Sequence, residues 1–468
     1  MGVQDHAKLF PVRQLDARFV GFFLLFGFSS ALGSEAATAW PASGSLFALT
    51  TNVARFVVFV AAVLLARRVP TLLGRPRVIK GAALAMALFS TVFFALTALP
   101  VVPFAVVVAL GAVVIVNAAF SVLYLAWMEA YARMNVYYVL VYFVSAHVLS
   151  SLFSLFVLSL GALFPIAVIM ALAPLLSAAL LLGALRDYAA ANEFHGEEQS
   201  ADWSISVRPL VLLAVFSFAG TFTRSPISAG ESLAVRLGVC AFCLVILGWV
   251  ILRFERVELR WFYQLAVPLM VVGVLGAFIS PQWGQMMGAA ASSAGLALFM
   301  TFVTGIFCNI SYRFGVSALW LFGFAQASMT VGTLVAQVVD LFAADGLHEA
   351  AASSMAVLAV VLVAVSMLLV SDSDFKSTWG IEPDEKKVGV KRELTLEERC
   401  DLIARRFGLT RREEEICLYL ASGDTLSSIG QKLFIADSTM KTHSRHIYRK
   451  IGVENKQDLQ AFVASYRR

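Results

Sequence analysis

The chain has 468 residues, of which 59% are hydrophobic and only 14% charged, with a mean hydropathy of +0.80. A soluble globular domain carries more charge than this, so most of the chain belongs in lipid. The net charge of +5 averages over parts of very different character and assigns no partner by itself, and the five cysteines show no disulfide framework.

Apolar runs long enough to cross a bilayer fall at 17–33, 45–66, 79–98, 104–127, 136–159 and 161–185, and then at 209–225, 232–252, 261–280, 285–308, 316–341 and 352–370. The sequence therefore predicts an all-α fold: a twelve-helix transmembrane bundle in two halves, 1–185 and 209–370. The first run follows Lys8, Arg13 and Arg18 but ends without a small-x-small cleavage site, so it reads as the first span and not a signal peptide. Cys240-x-x-Cys243 sits inside an apolar run and reads as packing. No metal or cofactor is expected.

Positive charge sets the expected orientation. Arg67, Arg68, Arg75, Arg77 and Lys80 follow span two, Arg133 follows span four, and Arg186 and Arg208 bound the loop after span six. Arg253, Arg256 and Arg260 follow span eight and Arg313 follows span ten, whereas the alternate connections are nearly free of Lys and Arg apart from Arg224. Both termini are expected on the cytoplasmic face of a bacterial inner membrane.

Four polar side chains fall near mid-depth: Arg55 in span two, Asn117 in span four, His147 in span five and Gln326 in span eleven. An arginine in hydrocarbon costs several kcal/mol unless its surroundings are wet or paired. These four are candidates for a ligand cavity taking a small molecule. Asn117 and Gln326 equally suit hydrogen bonding between helices, and His147 suits a satisfied interior position. Arg236 lies nearer the outer edge, where snorkelling or pairing with Glu231 is expected.

The central connection, 186–208, is long and mainly acidic through Asp187, Glu193, Glu197, Glu198 and Asp202. Six spans, a long cytoplasmic loop and six spans resemble the major facilitator superfamily, and Gly74-Arg75-x-Arg77 echoes the end of its loop signature. The aspartate expected ahead of that signature is missing from Pro70-Thr71-Leu72-Leu73. The resemblance implies that the third helix of each triplet is peripheral and that the others surround a central cavity.

From 371 to 394 the composition turns polar and mixed in charge, with Pro383 and Gly389. This reads as a flexible linker with a root-mean-square span on the order of 25–30 Å, and 397–407 reads as a short helix leading out of it. Next comes a capping box, Thr410-Arg411-Arg412-Glu413, opening a helix with Ile416, Cys417 and Leu420 that stops at Gly423. Thr425 opens another with Leu426, Ile429 and Leu433, and Phe434-Ile435-Ala436 turns into a basic helix.

In that helix Met440, Ser444, Ile447 and Ile451 form a face able to pack, and Lys441, Arg445 and Arg449 recur every four residues on the neighbouring stripe. No acidic residue interrupts Ser438 to Lys450, which suits a DNA major groove. Asn455 is placed to cap a last helix whose stripe of Leu459, Phe462, Val463 and Tyr466 has apolar surface for pairing two copies. The segment 395–468 thus reads as a four-helix helix-turn-helix domain with double-stranded DNA as partner.

Residues 409–464 resemble the LuxR/FixJ-type helix-turn-helix. The resemblance rests on Leu409-Thr410-x-Arg412-Glu413-x-Glu415-Ile416, Gly423, Ile429, Leu433, Ser438-Thr439-x-Lys441-x-His443 and Lys450-Ile451-Gly452-Val453. Arg411, Gly430 and Met440 depart from the family, which often has Pro, Ala and Val there. The resemblance implies that Lys441, Thr442 and Arg445 face bases, while Thr439, His443, Arg449 and Lys450 lie nearer phosphates. No receiver domain, P-loop or catalytic constellation is visible. The expectation is a membrane-bound, non-enzymatic transcriptional regulator that senses a signal in its helices; the alternative is a facilitator-type transporter with a regulatory tail.

Overall fold

The computed structural model describes residues 16–40, 43–69, 71–97, 103–134, 136–160, 163–190, 203–205, 207–222, 231–252, 259–276, 283–314, 316–343, 361, 381–383, 396–433, 437–453 and 455–465. Contacts divide the chain into two units, Met1–Asp384 and Glu385–Arg468.

In the first unit a short 3-10 turn at Ala17–Gly21 enters α1 (Phe22–Ala39), followed by α2 (Gly44–Leu65), α3 (Pro76–Thr97), α4 (Pro103–Tyr131), α5 (Val136–Ser159) and α6 (Leu163–Ala190). The second half contains α7 (Val207–Phe222), α8 (Glu231–Leu252), α9 (Leu259–Gly276), α10 (Trp283–Phe314) and α11 (Ala318–Ala343). Helices are what these apolar runs must form, because hydrocarbon offers backbone groups no partner outside their own segment.

Eight of the described helices are long and apolar enough to cross a membrane, while Pro209–Phe222, Arg236–Leu252 and Trp261–Gly276 are shorter. The expected span at 352–370 lies outside the described residues apart from Val361. The exterior has the character of a lipid-facing surface: Phe164 is 81% exposed and Phe104 77%. Asn117, Ser121, Glu129 and Ser177 are turned inward. Large apolar groups out and polar groups in reverse the arrangement of a water-soluble fold, as befits a multi-pass membrane protein.

Within the halves α1 lies on α5, α3 on α4 and α6, α7 on α11, and α9 on α10. The halves meet where α2 packs on α11 and α5 on α8, whereas α3, α6 and α9 pack against helices of their own half. The α7–α11 contact is close enough to need a glycine, since a Cβ at Gly332 would collide with the carbonyl oxygen of Ala214. Small residues allow such backbone approach between helices in lipid.

The loop between α2 and α3 is held by Glu129 of α4, a buried carboxylate. It accepts hydrogen bonds from the Thr71 hydroxyl, from Leu72 N at 2.7 Å and Leu73 N at 3.3 Å, and from Arg133 at 2.9 Å. The acid missing from the arginine-rich loop is thus supplied by a neighbouring helix. A buried carboxylate in an apolar unit requires such donors.

Two short segments depart from an all-helical fold and from the expectation of a wholly flexible linker. Trp203–Ile205 (β1), in the central connection, pairs antiparallel with Ile381–Pro383 (β2), within 371–394, with Ser204 opposite Glu382. The reason is physical: both segments carry an isoleucine, and each satisfies the other's backbone groups.

The second unit holds α12 (Leu396–Phe407), α13 (Arg411–Ala421), α14 (Leu426–Leu433), α15 (Asp437–Ile451) and α16 (Lys456–Ser465). The helix expected as a mere leader, α12, is part of the core, where Cys400 and Ile403 are buried beside Ile416, Cys417 and Leu420. The domain therefore has five described helices, one more than the expected four.

Its boundaries follow local chemistry. At the start of α13 Glu413 N donates to Thr410 Oγ1 at 3.3 Å and Thr410 N donates to Glu413 Oε2 at 2.8 Å, completing the capping box. Asn455 caps α16 by accepting from Asp458 N at 2.9 Å. Gly423 and Gly452 adopt φ of 102° and 83°, where a side chain is strained, and Asp424 N and Val453 N reach back to Tyr419 O and Tyr448 O. These are the closing bonds of a left-handed helix stop. The turn at 434–436 lies outside the described residues.

Candidate functional site

Helix α15 has the two faces its periodicity predicts. Met440, Ser444, Ile447 and Ile451 are buried, and Lys441, Arg445 and Arg449 are exposed. Thr439 and Thr442 are exposed and His443 half-exposed, and Thr442 Oγ1 donates to Ser438 O at 3.0 Å. Four residues advance a helix by about 6 Å, so the three cations form a row roughly 12 Å long. The Ser444 hydroxyl is satisfied by Lys441 O at 3.1 Å and does not compete for a ligand. Arg412 fixes α14 against α13 by donating to Leu433 O at 2.8 Å, while its other nitrogen meets Glu415 at 2.6 Å.

Lys450 is separated from that row. Its Nζ donates to Glu413 Oε2 at 2.6 Å and to Gly408 O at 3.0 Å, and Glu413 is 4% exposed. Burial works to raise the Glu413 pKa, but the bonds from Lys450 and Thr410 outweigh it and hold the carboxyl below the usual glutamate value. The resemblance implies a place for Lys450 near phosphate; in the structure its Nζ also partners a buried carboxylate of its own domain, because an ionised group there needs a partner.

Part of the stripe expected to pair two copies packs within the domain. Leu459 and Val463 are buried, and the Phe462 ring packs on Phe407 of α12 at 5.8 Å. Tyr466 lies outside the described residues.

In the first unit Arg55 and Asn117 come together. Arg55 Nε donates to Asn117 Oδ1 at 2.9 Å, an Nη donates to Ser29 Oγ at 2.6 Å, and the guanidinium lies 4.3 Å from the centre of the Phe120 ring. Asn117 itself donates to Val113 O at 2.9 Å and to Thr51 Oγ1 at 3.3 Å. Gln326 does not touch them; it crosses between the halves and donates to the Tyr124 hydroxyl at 2.6 Å. His147 stands apart as well, stacked on Phe26 at 5.1 Å and against the edge of Phe143. Its Nε2 is buried without a hydrogen-bond partner. Rings join the four positions: Phe120 stacks on Tyr124, and Tyr124 neighbours Phe26.

Arg236 departs most from expectation. Its guanidinium leaves α8 and crosses into the first half, donating to Ser30 at 2.7 Å, to Ser34 at 2.5 Å and to Ser154. Only its charge within an apolar run marked it in the sequence. The hydroxyls that receive it are more than 80 residues away in the chain, and nothing in the sequence singled out Tyr124 or Phe120.

Comparison with known proteins divides the chain in the same place. The family described as bacterial regulatory proteins, luxR family (GerE), matches residues 408–463. The probable transcriptional regulatory protein NarL of Mycobacterium tuberculosis is 38% identical over 48 residues, which are 10% of this chain and 22% of that protein. The chain thus spans about a fifth of the length of that curated relative.

Among solved structures, the human organic anion transporter MFSD10 (TETRAN) aligns with a TM-score of 0.51 and 13% identity, over 76% of this chain and 98% of that one. A major facilitator superfamily transporter, FucP, aligns over the same shares with a TM-score of 0.47 and 13% identity. Residues 408–463 match the luxR family of bacterial regulatory proteins, and the helices ahead of them are similar in fold to the transporter MFSD10.

Proposed function

We propose that the protein is a membrane-bound transcriptional regulator whose DNA-binding domain is controlled by a signal received in the facilitator-like helices. The observation that carries this reading is the α15 row Lys441, Arg445 and Arg449, exposed along a helix whose other face is locked into a LuxR-type core. Arg445, with Lys441 and Thr442, reads base edges; Arg449, Thr439 and His443 meet the backbone; Lys450 holds the domain together. In the inner membrane both termini face the cytoplasm, where the promoter is.

Control acts through the tether. Fully stretched chain covers at most about 3.5 Å per residue, so 371–394 alone could reach on the order of 85 Å. With Ile381–Pro383 fixed to β1, the part left between Pro383 and Leu396 reaches on the order of 45 Å. β1 runs directly into α7, so a rearrangement of the halves pulls on the strand pair. A signal shifts this equilibrium only by binding the two arrangements unequally.

The test is a promoter reporter in cells carrying the full chain, or residues 385–468 on an unrelated membrane anchor. Inducer should act only through the full chain. An equal response from the unrelated anchor would reduce the helices to a tether. The facilitator-like fold favours a second reading, transport with a regulatory tail, which predicts solute accumulation in vesicles containing the protein.

A further inference from the structure

Helix α3 divides lengthwise. Ile79, Ala83, Met86, Ser90 and Phe93 are buried, an i, i+4, i+7, i+11, i+14 face, and the helix packs on α4 and α6. On the opposite stripe Arg77, Lys80, Leu84, Leu88, Thr91 and Ala95 are exposed, with Leu84 at 60% and Leu88 at 62%. Residues three or four apart on one face stand about 5–6 Å from one another, so the two cations lie at the head of the leucine column. The Thr91 hydroxyl donates to Ala87 O at 2.8 Å and is satisfied within the helix. From Leu84 to Ala95 the column runs about 16 Å, close to the depth of one leaflet's hydrocarbon, about 15 Å.

Arg75, exposed just ahead of the helix, adds a third cation. Glu129, the acid that holds this loop, is 2% exposed and is taken up by Arg133 at 2.9 Å and by the Leu72 and Leu73 N–H groups. Its charge is spent inside the fold. Among the described residues none of Arg75, Arg77 and Lys80 has an ion-pair partner. Positive charge anywhere in this connection would set the orientation of the helices, and orientation does not require the charge to continue into an exposed apolar column. A water-borne anion or a DNA backbone gains nothing from Leu84 and Leu88. A phospholipid carries a phosphate and then a chain, in the order in which the stripe presents cations and then leucines.

We propose that Arg75, Arg77 and Lys80 bind the phosphate of an anionic phospholipid whose acyl chain lies along Leu84 and Leu88. Guanidinium groups meet phosphate oxygens by parallel hydrogen bonds and lysine adds a point charge. The loop between α2 and α3 is thereby fixed from two sides, by Glu129 within and by the phosphate outside. The site requires only that α3 meets lipid, and it stands whether or not the helices sense a signal.

The experiment uses the full chain in an uncharged detergent, its melting temperature followed at fixed ionic strength. The probe is dioctanoyl phosphatidylglycerol. Dioctanoyl phosphatidylcholine keeps the chains without the net charge, and glycerol 3-phosphate keeps the phosphate without the chains. The phosphatidylglycerol should stabilise saturably and the two controls should not at equal concentration. Arg77→Gln and Lys80→Gln should each raise the half-saturating concentration about fivefold, and Leu84→Ala with Leu88→Ala should raise it several-fold. Arg77→Lys keeps the charge and should retain most of the shift where the glutamine variant does not fold. Arg445→Gln, which removes a cation of the other unit, should leave the titration unchanged.

The proposal falls if phosphatidylglycerol gives no shift, if either control matches it, or if Arg77→Gln combined with Lys80→Gln keeps the wild-type titration. It falls equally if Arg445→Gln weakens the response as much as the α3 variants do, which would place the lipid on the DNA-binding unit. A random-sequence duplex whose affinity for the full chain drops in the Arg77→Gln, Lys80→Gln variant, with no response to the lipid, would assign these cations to DNA and also overturn it.

Discussion

Lys450→Met separates a structural lysine from a DNA contact. Lys450 Nζ lies 2.6 Å from Glu413 Oε2 and 3.0 Å from Gly408 O. Its side chain is 32% exposed, against 5% for that of Glu413. Losing a hydrogen bond to a charged group costs about 1.5–3 kcal/mol, and breaking a fully buried pair costs about 3–5 kcal/mol. Water reaches the lysine side, and Glu413 keeps the Thr410 N–H, so the lower range applies: about 2 kcal/mol.

For a domain of this size that is a fall of roughly 8–16 °C in melting temperature, read on residues 385–468, a unit with its own core. Adding Glu413→Gln to Lys450→Met should restore part of the loss, since removing both partners costs less than orphaning one.

The pH dependence follows in sign. The folded Glu413 pKa is depressed, so its contribution is fully present above the unfolded value of about 4.3 and is lost as pH falls through the lower folded value. The wild-type domain should weaken over that acid window, and Lys450→Met should flatten the curve. The slope of DNA affinity against salt should stay unchanged. A variant that melts with wild type while losing about one unit of salt slope would show that Lys450 meets phosphate after all.

The other predictions concern contact, topology and tether. Arg445→Ala should cost about 1–3 kcal/mol at one base position and relax specificity there. Arg449→Ala should weaken all sequences alike and flatten the salt dependence, both read by titration against a selected operator and random duplexes. A cytoplasm-active reporter fused after Arg468, or within 186–208, should work, and one near Gly346 should not; the opposite pattern would exclude DNA binding in the native membrane. Ser204→Cys with Glu382→Cys should crosslink under mild oxidation, since directly opposed strand positions bring Cβ atoms to about 4.5–5.5 Å. The locked protein should lose its inducer response in a promoter reporter, and an unaltered response would remove the strand pair from the mechanism.

Periodicity and caps are local, and what depends on them was legible. The buried face of α15, the capping box at Thr410 and Glu413, the cap at Asn455 and the stop at Gly423 all involve residues within about one or two helical turns. Apolar run length likewise located eleven of the described helices, because a helix in lipid satisfies its backbone within itself.

What charges and hydroxyls do across the fold was not legible. Lys450 looks like its neighbours Arg445 and Arg449 until α13 brings Glu413 beneath it, 37 residues away in sequence. Arg236 finds Ser30 across 206 residues and Gln326 finds Tyr124 across 202. No spacing rule encodes such pairs, for they exist only once helices from both halves have packed. The same holds for α12, whose short apolar stripe has meaning only against α13 and α16, and for β1 and β2, three residues each, too short to read as strands until a partner from the far end of the membrane domain supplies the other half of every hydrogen bond.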